Sequence, residues 1–191
     1  MKNSLRTTTI FCVTLVSGIL SFTSCKKQDI HEPQKEILPV SSNEMSSAMR
    51  PAGNESGLSQ QTLWELQQAK AATAKFQNIE NAKADGYEDI GVVVPNMGYH
   101  FRKLALVDSV FDFRKPELLV YNKDKFGRFQ LLAVEYAVPI AQSPNAPEGF
   151  TGNADVWDSN DDFGLWTLHA WVWEYNPEGV FHDTNPLVIV R

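Results

Sequence analysis

The chain has 191 residues, 43% of them hydrophobic, and a formal net charge of −6. This composition is typical of one soluble globular domain rather than of a disordered or fibrous chain. The acidic balance, with no cluster of Lys and Arg, argues against binding to nucleic acid, because neutralising phosphates requires such a cluster. Two cysteines exclude a disulfide scaffold, and none of the common catalytic or phosphate-binding motifs occurs.

Residues 1–24 are predicted to be a secretion signal. The apolar stretch at residues 10–22 follows two basic residues and is shorter than the ~20 residues that span a bilayer. It leads through small residues to Cys25, and this run resembles the signal of bacterial lipoproteins, in which the cysteine is lipidated and becomes the new N-terminus. Ordinary cleavage that leaves a free thiol at Cys25 is the alternative.

Lipidation of Cys25 predicts a cell-envelope protein whose partner is the membrane that the lipid enters. Two or three acyl chains give persistent anchoring, because each buried CH₂ contributes ~0.8 kcal/mol. Lys26 replaces the Asp that retains some lipoproteins in the inner membrane, which favours the outer membrane and leaves the side of that membrane open. Residues 25–57 then form the lipidated cysteine and a disordered tether rich in Pro and Ser, and residues 58–191 form a single globular domain.

A long helix is predicted at the start of this domain, from about residue 60 to 85. Ser59 or Thr62 can cap its first turn, and Gly86 can end it in a left-handed conformation. One face carries the apolar stripe expected of a helix that packs on a core. The residues of that stripe are Leu63, Leu66, Ala69, Thr73, Phe76 and Ile79.

The rest of the domain is predicted to supply a sheet. Strands are indicated where β-branched and aromatic residues cluster, at residues 90–94, 118–121, 129–138 and 165–175. The charged, glycine-containing segment 122–128 predicts a hairpin between the second and the third. The expected fold is α+β, with one long N-terminal helix on a mainly antiparallel sheet of four or five strands. A small closed barrel is the alternative.

Polar residues within apolar segments are the most informative candidates for a functional site: His100, Glu135 and His169. An ionised carboxylate in an apolar layer costs several kcal/mol unless it is paired, hydrogen-bonded or metal-bound. Alternation places Glu135 either on a buried face with Phe129, Leu131, Ala133 and Ala137, or on the opposite, outer face.

Two imidazoles and a carboxylate suffice for a site that holds a divalent metal, namely zinc, iron or manganese, with an open position for water or substrate. The three residues are far apart in sequence, so their convergence depends on the fold. The alternative is a core in which His100 and Glu135 are hydrogen-bonded and His169 stacks on a tryptophan.

The tryptophan-rich segment that ends at Trp173 is a second candidate surface. Alternation places Trp171 and Trp173 on one face, where with Tyr99 they would bind a flat ligand such as a glycan. Core packing is the alternative. The acidic segment 153–162 lacks the glycine and the closing Glu of an EF-hand and predicts a solvated loop, and His182 is expected at the surface.

A series of motifs in this chain resembles a family of uncharacterised bacterial secreted proteins and lipoproteins. The resemblance covers nearly the whole domain and includes His100, Glu135 and His169, but it implies no established activity. Its motifs read Gly98-Tyr99-His100, Val134-Glu135-Tyr136, Leu168-His169-Ala170-Trp171 and Asn176-Pro177-Glu178-Gly179-Val180-Phe181.

Three functions are therefore expected in different classes. The first is a binding protein that holds a divalent metal or a small polar ligand among His100, Glu135 and His169. The second is a metal-dependent enzyme that uses the same three residues, and whether the protein is an enzyme is left open. The third is a structural, glycan-binding or partner-binding module that uses the tryptophan-rich strand.

The Cys25→Ser variant tests the predicted anchor. Without the thiol that carries the lipid, the variant should incorporate no labelled palmitate and should leave the detergent phase on phase separation. Cys12→Ser is the matched control, because it removes a cysteine from the signal and leaves the modification site intact. Equal labelling of wild type and Cys25→Ser would contradict the prediction.

Overall fold

The structure is a computed structural model that describes residues 57–191. The predicted signal peptide, Cys25 and nearly all of the predicted tether lie outside the described residues. No helix in the described part of the chain has the length and hydropathy that crossing a bilayer requires.

Within residues 57–191 the chain forms an α+β fold, in which a helical segment covers one face of a curled, antiparallel sheet. The strands are β1 (Glu88–Val94), β2 (Gly98–Arg102), β3 (Leu118–Lys123), β4 (Phe129–Pro139), β5 (Asp158–Asn160) and β6 (Leu165–Ala170). Their order across the sheet is β1-β2-β3-β4-β6-β5. The predicted α+β class and antiparallel sheet are confirmed.

The expectation of four or five strands is wrong, because the described residues contain six. Strand β2 has the sequence Gly-Tyr-His-Phe-Arg, in which only Tyr and Phe favour a strand, and β5 has Asp-Ser-Asn, in which no residue does. Both form because a neighbouring strand supplies hydrogen-bond partners. β1 and β5 lie at opposite edges, so the sheet is an open half-barrel and not a closed barrel.

The single long helix is also wrong. Helix α1 (Gln60–Thr73) begins after Ser59, whose hydroxyl accepts a hydrogen bond from the Thr62 N–H at 3.0 Å. A 3-10 turn (Ala74–Gln77) follows, and α2 (Ile79–Ala84) begins after Asn78. Asn78 has extended backbone angles and caps α2 by accepting from the Glu80 N–H, so it breaks the helix that the apolar spacing predicts.

Two predicted turns are confirmed. Gly86 has a φ of 98° and ends α2, and the bond from the Tyr87 N–H to the Ala82 carbonyl, at 3.0 Å, completes the helix terminator. Strands β3 and β4 form the expected antiparallel hairpin. In its turn the Asp124 carboxylate accepts hydrogen bonds from the Phe126 and Arg128 N–H groups.

A β-bulge at Leu132 decides which residues of β4 share a face. Val120 of β3 pairs with Ala133 and Tyr121 with Leu131, so Leu132 has no partner on β3. Its carbonyl instead accepts hydrogen bonds from the backbone N–H groups of residues 173 and 174. The alternation therefore reverses at Leu132, since one extra residue moves every later side chain to the other face.

The main core lies between the helices and one face of the sheet. It unites residues of α1, α2 and all the central strands: Leu66, Ala69, Phe76, Ala82, Phe101, Leu119, Tyr121, Leu131, Val134, Tyr136, Leu168 and Ala170. We call this side of the sheet the helix face. A smaller cluster of Val120, Leu132, Ala133, Trp171 and Val188 lies on the opposite side, which we call the open face.

Glu117, the residue immediately before β3, is a buried carboxyl group that is 2% exposed. Burial raises its pKa from 4.5 to about 8, against the hydrogen bond that it accepts from the Ala137 N–H at 3.1 Å, and the charges of Asp108 and Asp112 raise it further. At neutral pH the folded protein therefore keeps this carboxyl group protonated.

The Glu117→Gln variant should flatten the pH dependence of stability. Between about pH 4.5 and 8 the folded state binds a proton that the unfolded state has released, so wild-type stability falls as pH rises, by roughly 3–5 kcal/mol across the window. Gln cannot ionise, so the variant should match wild type near pH 4.5 and exceed it near pH 9 in urea unfolding. Glu88→Gln, at an exposed position, should follow wild type. Parallel profiles for Glu117→Gln and wild type would contradict the assignment.

Candidate metal centre

Strand β2 places His100 on the open face. Tyr99 and Phe101 pack toward the main core, so alternation directs His100 and Arg102 to the other side. Gly98 lets β2 approach β3 this closely. Its φ is 131°, and a Cβ at this position would collide with the carbonyl oxygen of Tyr121.

Glu135 and His169 reach the same face from β4 and β6, where they are directly paired cross-strand neighbours. His169 lies between Leu168 and Ala170, both of which belong to the main core. Glu135 shares its face with Ala133, as one of the two predicted arrangements has it. The Leu132 bulge places Leu131 on the other side, contrary to that arrangement.

The structure brings the three predicted residues together as a buried cluster. His100 is 4%, Glu135 6% and His169 2% exposed. The Glu135 Oε2 atom lies 3.6 Å from His100 Nε2 and 3.9 Å from His169 Nε2, and one ligand atom from each residue falls within 4.8 Å of the others. Metal–ligand distances of ~2.0–2.1 Å in a tetrahedral site imply ligand-to-ligand separations of roughly 3.3 Å. The three side chains would therefore need to move only slightly toward one another to bind one metal ion.

The outer nitrogen of each imidazole faces an acceptor. His100 Nδ1 lies 3.2 Å from the Val92 carbonyl oxygen, and His169 Nδ1 lies 3.7 Å from Asp183 Oδ1. A proton on each Nδ1 leaves the Nε2 lone pair directed at Glu135. Outer-shell contacts of this kind orient metal-binding histidines.

Buried atoms at the centre of the cluster have no hydrogen-bond partner among the described residues. These unpartnered atoms are Glu135 Oε2 and both ring nitrogens of His169. Buried polar atoms are nearly always hydrogen-bonded, because leaving one unpaired costs a few kcal/mol. A cation bound between Glu135 Oε2 and the Nε2 atoms would satisfy the inward-facing atoms together.

The two imidazoles have opposite pKa shifts. Burial lowers the pKa of His100, and the attraction of Glu135 only partly offsets it. Burial also acts to lower the pKa of His169, but Glu135 and Asp183 outweigh it and raise that pKa. A metal must displace any proton on His169, so metal affinity should rise with pH.

The cluster lies in a cavity of about 460 Å³ on the open face. Apolar side chains of β1, including Ile90 and Val92, line one part of it, and aspartates of β5 and of the segment after it line another. Asp183 also borders this space, and the nearby His169 imidazole lowers its pKa to about 2. Since the cluster is in contact with the cavity, a small molecule there can reach it.

The structure does not bring Tyr99, Trp171 and Trp173 together. Tyr99 packs on Phe129 at the helix face, and Trp173 packs against the main core and donates to Thr73 Oγ1 at 3.1 Å. Trp171 is buried on the open face. The expected shared face for the two tryptophans fails because β6 ends at Ala170 and the chain turns there.

The structure agrees only in part with the alternative prediction, in which His100 and Glu135 are hydrogen-bonded in the core and His169 stacks on a tryptophan. His169 does stack on Trp171, with ring centroids 6.3 Å apart and planes at 20°. The separation of 3.6 Å between His100 and Glu135 exceeds the length of a hydrogen bond. His182 is exposed, as predicted.

Sequence reasoning missed three groups around the cluster. Asp183, Arg102 and the Val92 carbonyl all contact or line the site, but no spacing pattern marks them, and a backbone carbonyl leaves no signal in sequence. Asp158, assigned to a solvated loop, is exposed but forms part of β5 and borders the cavity. The sequence lacks an EF-hand pattern at this segment, and that comparison gave no information about where Asp158 lies in the fold.

Comparison with protein-family models, with curated proteins and with solved structures finds no match for this chain. The resemblance to bacterial secreted proteins and lipoproteins therefore stays a prediction.

The Asp183→Ala variant tests the outer contact of His169. Without this carboxylate the imidazole loses its orienting partner, and zinc affinity should fall about 10- to 100-fold, measured by competition with a chromogenic chelator. Asp162→Ala is the matched control, because Asp162 borders the same cavity and the substitution removes the same charge. An equal loss in both variants would show that charge alone matters.

Proposed function

We propose that this domain binds a divalent transition metal, zinc, iron or manganese, through His100, Glu135 and His169. The observation that carries the proposal is the buried, unpartnered Glu135 Oε2 facing the Nε2 atoms of both histidines. Two imidazoles and one carboxylate are a donor set that these metals accept.

Metal binding accounts for the geometry better than a hydrogen-bonded core does. The inner distances of 3.6 and 3.9 Å are too long for hydrogen bonds but close to the spacing of ligands around one metal. The histidines are also held from outside by Val92 and Asp183, which leaves their inner nitrogens available. A small polar ligand in the same place would need hydrogen-bond donors both for Glu135 and for the Nε2 atoms of the two histidines.

A metal-dependent enzyme is the second candidate function, and the cavity in contact with the cluster favours it. Three protein ligands leave positions on a metal for water or substrate, and a metal so held lowers the pKa of bound water or polarises a carbonyl. In that case Glu135 acts as a ligand. The third hypothesis, a glycan-binding tryptophan strand, has less support because both indole N–H groups already donate within the fold.

The location that we propose for this activity is the cell envelope, with the domain anchored to a membrane through the lipid on Cys25. Its support is the sequence of the predicted signal.

Metal content of the full-length chain, purified in detergent without chelator, tests the proposal. We expect near one equivalent of metal per chain by elemental analysis, and loss of it in a His100→Ala, His169→Ala double variant. Glu135→Gln keeps the side-chain shape and should weaken zinc binding about 100-fold or more. His182→Ala, at an exposed histidine, is the control and should bind as wild type does.

Zinc titration of metal-stripped protein at several pH values completes this test. Occupancy should increase with pH as His169 loses its proton. Wild-type protein that takes up no zinc, iron or manganese, or a Glu135→Gln variant that binds as tightly as wild type, would contradict the proposal.

A further inference from the structure

Arg102 is a cationic side chain without a partner at the cavity. Among the described residues it is the only Lys or Arg that lines this space, and its side chain makes no hydrogen bond or ion pair there. It lies on the same side of β2 as His100 and in one cross-strand row with Leu118 and Glu135. An unpaired guanidinium beside the cluster presents a fork suited to a carboxylate.

The other side of the same cavity is acidic. Asp158, Asp161 and Asp162 belong to β5 and the turn after it, and Asp183 lies beside them. Asp183 Oδ1 lies 3.7 Å from His169 Nδ1, and Asp158 pairs with Thr167 on β6, two residues before His169. Asp158 therefore carries the acidic side up to the cluster, where it can meet a cationic group of a ligand.

The cluster lies between the cationic and the acidic sides. Arg102 is on β2 and Asp158 on β5, with β3, β4 and β6 between them. At about 4.8 Å per strand, and with the two-residue offset of Asp158 from the row of Arg102, a flat sheet would separate their backbones by roughly 20 Å. The two side chains shorten this gap, as does the curl of the sheet. An extended dipeptide spans up to ~7 Å, and the cavity volume of about 460 Å³ is that of a small-molecule site.

We infer that this cavity binds a small zwitterion of dipeptide size, with its carboxylate on Arg102, its ammonium group toward Asp158 and its central carbonyl at the His100, Glu135 and His169 cluster. The inference rests on the proposed metal site, because the metal is what receives the carbonyl oxygen. The side chains of the ligand meet the apolar surface formed by Ile90 and Val92.

Ligands with one charge fit these surroundings less well. A simple anion would pair with Arg102 but would face four aspartates on the other side. A simple cation would satisfy the aspartates and leave Arg102 unpaired. Only a ligand with separated charges of both signs matches both sides of the cavity, as electrostatic complementarity requires.

Calorimetric titration of the zinc-loaded, full-length protein tests the inference with three probes. These are alanyl-alanine, its N-acetyl derivative, which lacks the ammonium group, and its C-terminal amide, which lacks the carboxylate. We expect wild type to bind alanyl-alanine and each derivative at least 10-fold more weakly. Zinc binding is measured first on the metal-stripped protein without any dipeptide.

Variants assign each charge to its residue. Arg102→Gln should weaken alanyl-alanine binding at least 10-fold and leave binding of the amide unchanged. Asp158→Asn should also weaken alanyl-alanine binding at least 10-fold, but it should leave binding of the N-acetyl derivative unchanged. Arg114→Gln, at an exposed arginine that contacts Gln68, is the control and should change nothing. Each variant is compared at equal zinc occupancy.

The two proposals fail differently in this experiment. If zinc binds but alanyl-alanine does not, or if Arg102→Gln weakens the amide as much as the acid, the zwitterion inference is overturned and the metal site stands. If the metal-stripped protein binds no zinc, iron or manganese, both are overturned. Binding that follows the predicted pairing of probes and variants supports both.

Discussion

The buried carboxylate of Glu135 is the constraint on which the open face of the sheet depends. A carboxylate that is 6% exposed must be compensated, because an unpaired buried charge is costly. The fold places two imidazoles near it but at more than hydrogen-bond distance. The cluster is thus compensated only in part by the protein itself, which is typical of a site that is completed by a ligand.

The architecture around Glu135 follows from this arrangement. The helices cover one face of the sheet and leave the other for the cluster and its cavity. The bulge at Leu132 sets the side-chain direction of β4, and its carbonyl receives the chain after β6. Asp183 then returns to His169 from the C-terminal segment. Stability of the core and geometry of the site are therefore coupled through the same strands.

Local signals in the sequence predicted much of the fold. Capping at Ser59, the terminator at Gly86 and the β3–β4 hairpin depend on neighbouring residues, and each is confirmed. The long helix was wrong because Asn78 caps a new helix instead of continuing the first. Strands β2 and β5 are missing from the predicted strands because both are short. Strand β5 has no residue that favours a strand and β2 has only two, Tyr99 and Phe101, so both depend on pairing with neighbouring strands.

The sequence by itself determined the residue types of the candidate site, since His100, Glu135 and His169 are polar groups in segments that are otherwise largely apolar. Only the tertiary structure decided that they converge, that Asp183 and Val92 orient the histidines, and that Arg102 and Asp158 border the same cavity. The physical reason is the distance along the chain over which each interaction acts, because capping and turn formation involve residues only a few positions apart. Strand register, curl and a one-residue bulge fix distances between groups far apart in the chain.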